Sequence, residues 1–216
     1  MVRIKICGIT NLADARAAIA AGADMLGFNF YRPSPRFIDP QDARTMIETL
    51  RVEIKALPRT VTMAGVFVNE PAESIVHIAA EAGVAAIQLH GDESVEFCRE
   101  LKILLPDRFL IKALRARGQG VTERAAEYNV DAIMLDAFDA ELRGGTGRTV
   151  DWSLARHTRE AVPRLFLAGG LSPENVSDAI SQVQPYAVDA CSALESSPGH
   201  KDAERMNAFV RAVRNG

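Results

Sequence analysis

Two apolar runs in this sequence end on a side chain that could move a proton. Arg3-Ile4-Lys5-Ile6 runs into Cys7 and Gly8, and Ala132-Ile133-Met134-Leu135 runs into Asp136. A cysteine placed just before a helix feels the positive end of the helix dipole. That lowers a thiol from its usual ~8.5 and supplies thiolate. A carboxyl at the dry end of a buried run is expected to titrate high, which suits a general acid. Each has a plainer alternative: Cys7 as a small buried apolar residue, and Asp136 as a cap for the loop that follows. Cys98 falls on a helical stretch between glutamates and reads as structural.

Other stretches could hold anions. Arg36 stands beside Pro33 and Pro35, and a stiffened loop can hold a guanidinium ready for bidentate grip of a carboxylate. Arg32 competes for that role in the same loop. Gly169-Gly170 with Ser172-Pro173 sets backbone N–H groups at an expected helix start after a buried run, a geometry that favours phosphate. Gly144-Gly145-Thr146-Gly147 is a second glycine-rich loop. His90 alone reads as a hydrogen-bonded wall residue. There is no Walker lysine motif, no H-E-x-x-H, and no His/Asp/Glu set with metal spacing, so neither metal nor cofactor is expected.

These residues need elements to position them. Apolar runs begin at Arg3, Met25, Thr62, Ala86, Leu110, Ala132, Leu165 and Ala187. They are nearly unbroken rather than alternating, as parallel strands buried on both faces should be. Between them lie helical stripes: Ile75, Ile78, Ala79 and Ala82; Phe97, Leu101, Leu104 and Leu105; Met206, Phe209, Val210 and Val213. Asp39-Pro40, Asn69-Glu70-Pro71 and Ser172-Pro173 are expected to start helices, and Gly22 and Gly83 to stop them. Eight strand–helix units fit a closed (β/α)8 TIM barrel or an open doubly wound sheet. Strand one carries no G-x-G-x-x-G, and the glycine-rich turns come late, so the barrel is favoured. In a barrel the chemistry sits at the C-terminal strand ends. Those ends are Cys7, the loop after strand two, Asn69, Gln88 to Gly91, Lys112, Asp136, Gly169-Gly170, and Asp189 to Ser192. No composition break divides the chain, so one α/β domain over 1–216 is expected.

Composition sets the outer limits. Of 216 residues, 48% are apolar and 25% charged, which excludes disorder, collagen and a disulfide-dense scaffold. The net charge of −3 gives no bulk attraction to nucleic acid. No run approaches the ~18 apolar residues of a membrane span, and Met-Val-Arg-Ile-Lys-Ile-Cys lacks a signal-peptide core. Three widely spaced cysteines without CxxC point to reduced thiols in a cytoplasmic protein and to no zinc cluster. Monomer and homodimer both stay open.

The motifs, taken in order, resemble the phosphoribosylanthranilate isomerase family over nearly the whole chain. They are Lys5-Ile6-Cys7-Gly8-Ile9-Thr10; Gly27-Phe28 with Ser34-Pro35-Arg36; Gly65-Val66-Phe67-Val68-Asn69; Gln88-Leu89-His90-Gly91-Asp92-Glu93; and Leu135-Asp136. Gly144 to Gly147 with Asp151-Trp152, Leu167 to Leu171, and Pro198-Gly199-His200-Lys201-Asp202 complete the set. The resemblance implies a (β/α)8 enzyme of tryptophan biosynthesis running an Amadori rearrangement on a small phosphorylated substrate. It gives Cys7 the role of general base and Asp136 that of general acid. Arg36 would hold the anthranilate carboxylate, with Gln88 and His90 also at the substrate. Gly169, Gly170 and the turn from Asp189 to Ser192 would cradle the phosphate. One motif departs from the family's Ser-Ser-Gly: here it is Cys191-Ser192-Ala193. Alanine there is expected to narrow the phosphate loop or restrict its backbone. Two relatives on the same fold fit less well. The histidine-pathway isomerase has aspartate where Cys7 stands, and indole-glycerol-phosphate synthase is expected to carry catalytic lysines and an N-terminal extension. A phosphate-sensing barrel without catalysis would need neither Cys7 nor Asp136.

Overall fold

Every expected apolar run forms a strand, because in this fold each strand has a core on both sides. In the computed structural model, which describes residues 1–116, 120–136 and 152–215, the strands are β1 (Arg3–Cys7), β2 (Met25–Asn29), β3 (Thr62–Phe67), β4 (Ala86–Leu89), β5 (Phe109–Arg115), β6 (Ala132–Asp136), β7 (Leu165–Ala168) and β8 (Ala187–Ala190). They close in chain order into a parallel barrel. The closing seam pairs Arg3 with Ala187 through Ile6 with Ala190. An open sheet would leave β1 and β8 as edges, and both are paired.

Among the described residues, eight α-helices surround the barrel: α1 (Leu12–Ala21), α2 (Pro40–Ile54), α3 (Ala72–Ala82), α4 (Val95–Leu104), α5 (Val121–Glu127), α6 (Ser153–Ala161), α7 (Val176–Val183) and α8 (Ala203–Asn215). Asp39 caps α2 by accepting from the Gln41 amide, with Pro40 in the first turn. Gly22 and Gly83 end α1 and α3 in the left-handed conformation. Two expected caps are used otherwise. The Asn69 side chain accepts from the Asp92 amide 23 residues away, and α3 has no side-chain cap. Ser172 opens a turn, and α7 starts only at Val176. The stripe of α8 buries Met206, Phe209, Val210 and Val213 as expected. On α4 the buried residues are Cys98 and Leu101, while Leu104 faces solvent.

The larger core lies between sheet and helices, and a smaller one fills the barrel with Met25, Ala64, Ile111, Met134, Phe166 and neighbours. The N-terminal mouth is packed shut. Phe109, Phe166 and Tyr186 stack there at 6.5 and 5.7 Å, with Arg3 and Arg164 over the rings. Space for a ligand therefore lies at the other end. After β8 the chain makes a tight turn, Ser192–Leu194, and a short antiparallel ribbon of Glu195–Ser197 with His200–Lys201. No helix among the described residues is long and apolar enough to cross a membrane.

Candidate active site

Side chains alternate along a strand, so those at i and i+2 share a face. In β1 this sends Lys5 and Cys7 into the barrel. Cys7 meets Arg36 from the β2–α2 loop, Gln88 from β4, His90 just beyond it, Asp136 from β6, Gly169 and Gly170 after β7, and Asp189 and Ser192 from the end of β8. All nine of the residues expected to be catalytic or substrate-binding line one cavity of about 530 Å³. Lys112 and Asn69, also at strand ends, stay out of it. Lys112 pairs in register with Leu89 and Ile133 on the outer face. Its buried ammonium binds Glu93 at 2.6 Å and the Gly91 carbonyl at 2.7 Å. Asn69 serves the loop after β4. Arg32 lies over the Phe37 ring, 5.4 Å from its centre, which leaves the cavity to Arg36. The Gly144–Gly147 stretch and Asp151 lie outside the described residues.

The surroundings of Cys7 shift its thiol well below the usual thiol range. A hydrogen bond from the Cys191 thiol does most to lower it; burial opposes this, and the Lys5 and Lys201 ammonium groups add to the lowering. Lys5 is fully buried and donates to Asp189 Oδ1 at 2.8 Å. Burial alone would lower Lys5, but the Asp189 and Cys7 anions outweigh it and keep the ammonium charged. One cation thus serves two acids. Asp189 loses part of that contest: burial pushes it up to about 6 against the pull of Lys5. The Cys191 thiol is pushed well up, first because it donates to Cys7 and then by burial. Sequence reasoning gave no role to Lys5, Glu195 or Lys201, and placed Cys191 only within the phosphate turn. The available signal was a lysine inside an apolar run, two residues before the cysteine and so on its face.

Arg36 already holds a carboxylate. Its Nε and Nη2 donate to Glu195 at 2.8 and 2.7 Å. That bidentate pair fixes the guanidinium and leaves its other three N–H donors unused by Glu195. Lys201 Nζ holds the same Glu195 at 2.8 Å. Burial alone would raise Glu195, but these two cations keep it below the usual carboxylate range. Gly8 makes the arrangement possible. Its φ is +77°, and a Cβ there would sit 2.7 Å from Arg36 Cδ and 2.9 Å from Cys191 Sγ.

Across the cavity, Gln88 Nε2 lies 2.8 Å from His90 Nδ1. With Gln88 donating, the neutral imidazole carries its proton on Nε2, which is 3.7 Å from Asp136 Oδ2. Gly169 and Gly170 both have positive φ (90° and 68°), so this loop turns where an L side chain would strain. Asn175 braces it: its side chain accepts from Ser172 N at 2.9 Å and donates to the Gly170 carbonyl at 3.0 Å. In the turn after β8, the first backbone bond runs from Leu194 N to the Cys191 carbonyl. The N–H groups of Ser192 and Ala193 come before that bond and remain for a ligand. The Asp189 carboxylate is taken by Lys5 and would repel a phosphate, so the turn's offer to an anion is its backbone. Ala193 does not have positive φ; alanine in place of glycine puts no restriction on the backbone found here. No group of three or more His, Cys, Asp or Glu side chains fit to hold a metal occurs among the described residues.

The profile of the family described as N-(5'-phosphoribosyl)anthranilate (PRA) isomerase matches residues 4–212. The chain belongs to that family. An N-(5'-phosphoribosyl)anthranilate isomerase of Trichlorobacter lovleyi is 41% identical over 214 residues, covering 99% of this chain and 98% of that one. A crystal structure of phosphoribosyl anthranilate isomerase in complex with reduced 1-(o-carboxyphenylamino)-1-deoxyribulose 5-phosphate matches at TM-score 0.84 and 40% identity, over all of both chains. A structure of monomers generated from the dimeric Thermotoga maritima phosphoribosylanthranilate isomerase matches at TM-score 0.83 and 40% identity, again over all of both chains. Family membership makes this barrel an isomerase, and its open C-terminal mouth is where such chemistry belongs.

Proposed function

We propose that this one-domain barrel converts N-(5'-phosphoribosyl)anthranilate to 1-(2-carboxyphenylamino)-1-deoxyribulose 5-phosphate in tryptophan biosynthesis, with Cys7 as general base and Asp136 as general acid. The observation that carries the reading is that a cysteine from β1 and a carboxyl from β6 line the same cavity. Asp136 gives a proton to the ribose ring oxygen, and the ring opens to a Schiff base. Cys7 removes the C2′ proton, and the resulting enolamine tautomerises to the ketone. The two steps act on different atoms of one sugar, so acid and base must approach it from different strands.

Binding at both ends of the substrate supports the chemistry by fixing the sugar between the two groups. Arg36 takes the anthranilate carboxylate through the donors that Glu195 leaves unused. Gly169, Gly170 and the backbone at Ser192 take the phosphate, and Gln88 with His90 line the wall beside Asp136. Asp189 contributes through Lys5. The partner is a small phosphorylated molecule, without nucleic acid or membrane, and the enzyme works in the cytoplasm as a monomer or a homodimer. The test follows the fluorescence of phosphoribosylanthranilate made in situ from anthranilate. Loss of signal on adding the protein is the expected result. Stable binding with no turnover would instead support a phosphate-sensing barrel.

A further inference from the structure

The strand register makes Cys7 and Cys191 neighbours. β1 and β8 pair Ile6 with Ala190, and each cysteine is the next residue along its chain. Adjacent strands lie ~4.7–4.9 Å apart, inside the ~4.4–6.8 Å range of Cα separations that a disulfide spans. The side chains two residues earlier, Lys5 and Asp189, already meet across this seam at 2.8 Å. Cys7 and Cys191 stand one layer higher, and the Cys191 sulfur reaches to the β1 side of the seam, 2.9 Å from where a Cβ on Gly8 would lie. Both are partly exposed and line the cavity. The third cysteine, Cys98, is buried on α4, and burial pushes its thiol up to about 11.

We propose that Cys7 and Cys191 form a peroxide-sensitive thiol pair that closes reversibly into a disulfide across the β1–β8 seam. The Cys7 thiolate attacks hydrogen peroxide: an S–O bond forms, the O–O bond breaks, and hydroxide leaves, becoming water with the proton that the Cys7 thiol gave up on ionising. The Cys7 sulfenic acid then meets Cys191. An S–S bond forms, the S–O bond breaks, and the hydroxyl departs as water with the Cys191 proton. In total two thiols and one peroxide give one disulfide and two waters. The second step is favoured by what surrounds Cys191. Once Cys7 is neutral, Cys191 no longer serves its anion; Glu195 Oε1, 3.8 Å away, stands ready to accept the Cys191 proton, and Lys201 Nζ at 3.7 Å and Arg36 draw the sulfur toward thiolate. For its effect on catalysis, though not for the bond itself, the proposal rests on Cys7 being the base.

The experiment treats the full chain with hydrogen peroxide, alkylates the remaining thiols, and maps peptides without reduction. Titratable thiols should fall from three to one, with Cys7 and Cys191 in one linked peptide pair lighter by two hydrogens. Dithiothreitol should restore all three thiols, with isomerase activity falling and returning in step. Cys191→Ser should give no linked pair, and its Cys7 should pass on to sulfinic acid that dithiothreitol does not reverse. Cys98→Ser keeps the test open should Cys191→Ser fail to fold; there the thiols should fall from two to none. Wild-type Cys7 reaching sulfinic acid while Cys191 stays a free thiol would overturn the proposal, as would three thiols surviving. A linked pair that forms with turnover unchanged upholds the bond and instead removes Cys7 from the role of base. The peptide map needs no substrate, so the two failures are distinct.

Discussion

Replacing Lys5 with methionine tests the electrostatic design of the site. A Cβ placed on Gly27 would lie 2.7 Å from Cys7 Sγ and 3.2 Å from Lys5 Nζ, so those atoms are no more than about 5.9 Å apart. At an effective dielectric of about 20, a charge pair at that distance is worth about 3 kcal/mol, or about 2 pH units in the thiol's titration. Lys5→Met should therefore move the midpoint for Cys7 up by about 2 units. The assay is the pH profile of iodoacetamide alkylation at Cys7, read by peptide mass, alongside the acid limb of kcat/KM. Because the thiolate is the reactive form in both, each profile should shift to higher pH. On the acid limb the alkylation rate should drop about 100-fold at fixed pH. Asp189, already lifted to about 6, takes up a proton when its cation is gone, so no bare charge is stranded. Asp189→Asn supplies the sign check: with the competing anion removed, Lys5 serves Cys7 alone and the midpoint should move down. A Lys5→Met profile within half a unit of wild type would refute the reasoning, and so would both variants shifting the same way.

Other outcomes follow from the same geometry. Cys7→Ser and Asp136→Asn should each lower kcat by about 10²–10⁴-fold with circular dichroism and Tm near wild type; turnover within threefold of wild type in either would remove its role. Arg36→Ala should raise KM for the anthranilate substrate by at least about 10-fold with a smaller change in kcat, and an unchanged KM would count against it. Ala193→Gly should leave the affinity for inorganic phosphate within about twofold, since that backbone already has ordinary φ; a marked tightening in a binding titration would show the alanine crowds the loop. Glu93→Ala should cost about 3–5 kcal/mol by stranding the buried Lys112 ammonium, a fall in Tm of about 6–20 °C, while Glu93→Leu with Lys112→Met should recover most of it.

How much of this was legible in the sequence depended on how local each cause is. Strands were readable because burial on two faces leaves apolar runs, and the stop at Gly22 or the cap at Asp39 acts within one turn. Asn69 and Ser172 misled because their side chains find other uses than capping the next helix: Asn69 reaches Asp92, and Ser172 tightens its own turn, where its Oγ accepts from Glu174 N. Cys7, Asp136 and Arg36 were findable from residue type and strand position. The groups that set their state were not. Lys5 meets Asp189 184 residues along the chain, and Arg36 meets Glu195 159 residues along. Neither pairing leaves a trace in spacing. Lys112 was the opposite case, a charged residue at a strand end that two-residue parity, counted from its neighbours, sends outward.

The seam between β1 and β8 also has a kinetic meaning. It joins the first strand to the eighth, with contacts of the greatest sequence separation in the barrel. Closing so long a loop is slow, and such contacts form only after the chain between them has largely condensed. The acidity of Cys7 depends on groups that gather only at that joint. A refolding chain should therefore recover its strands and helices before it recovers a reactive thiolate, so the rate of Cys7 alkylation during refolding is a clock for ring closure.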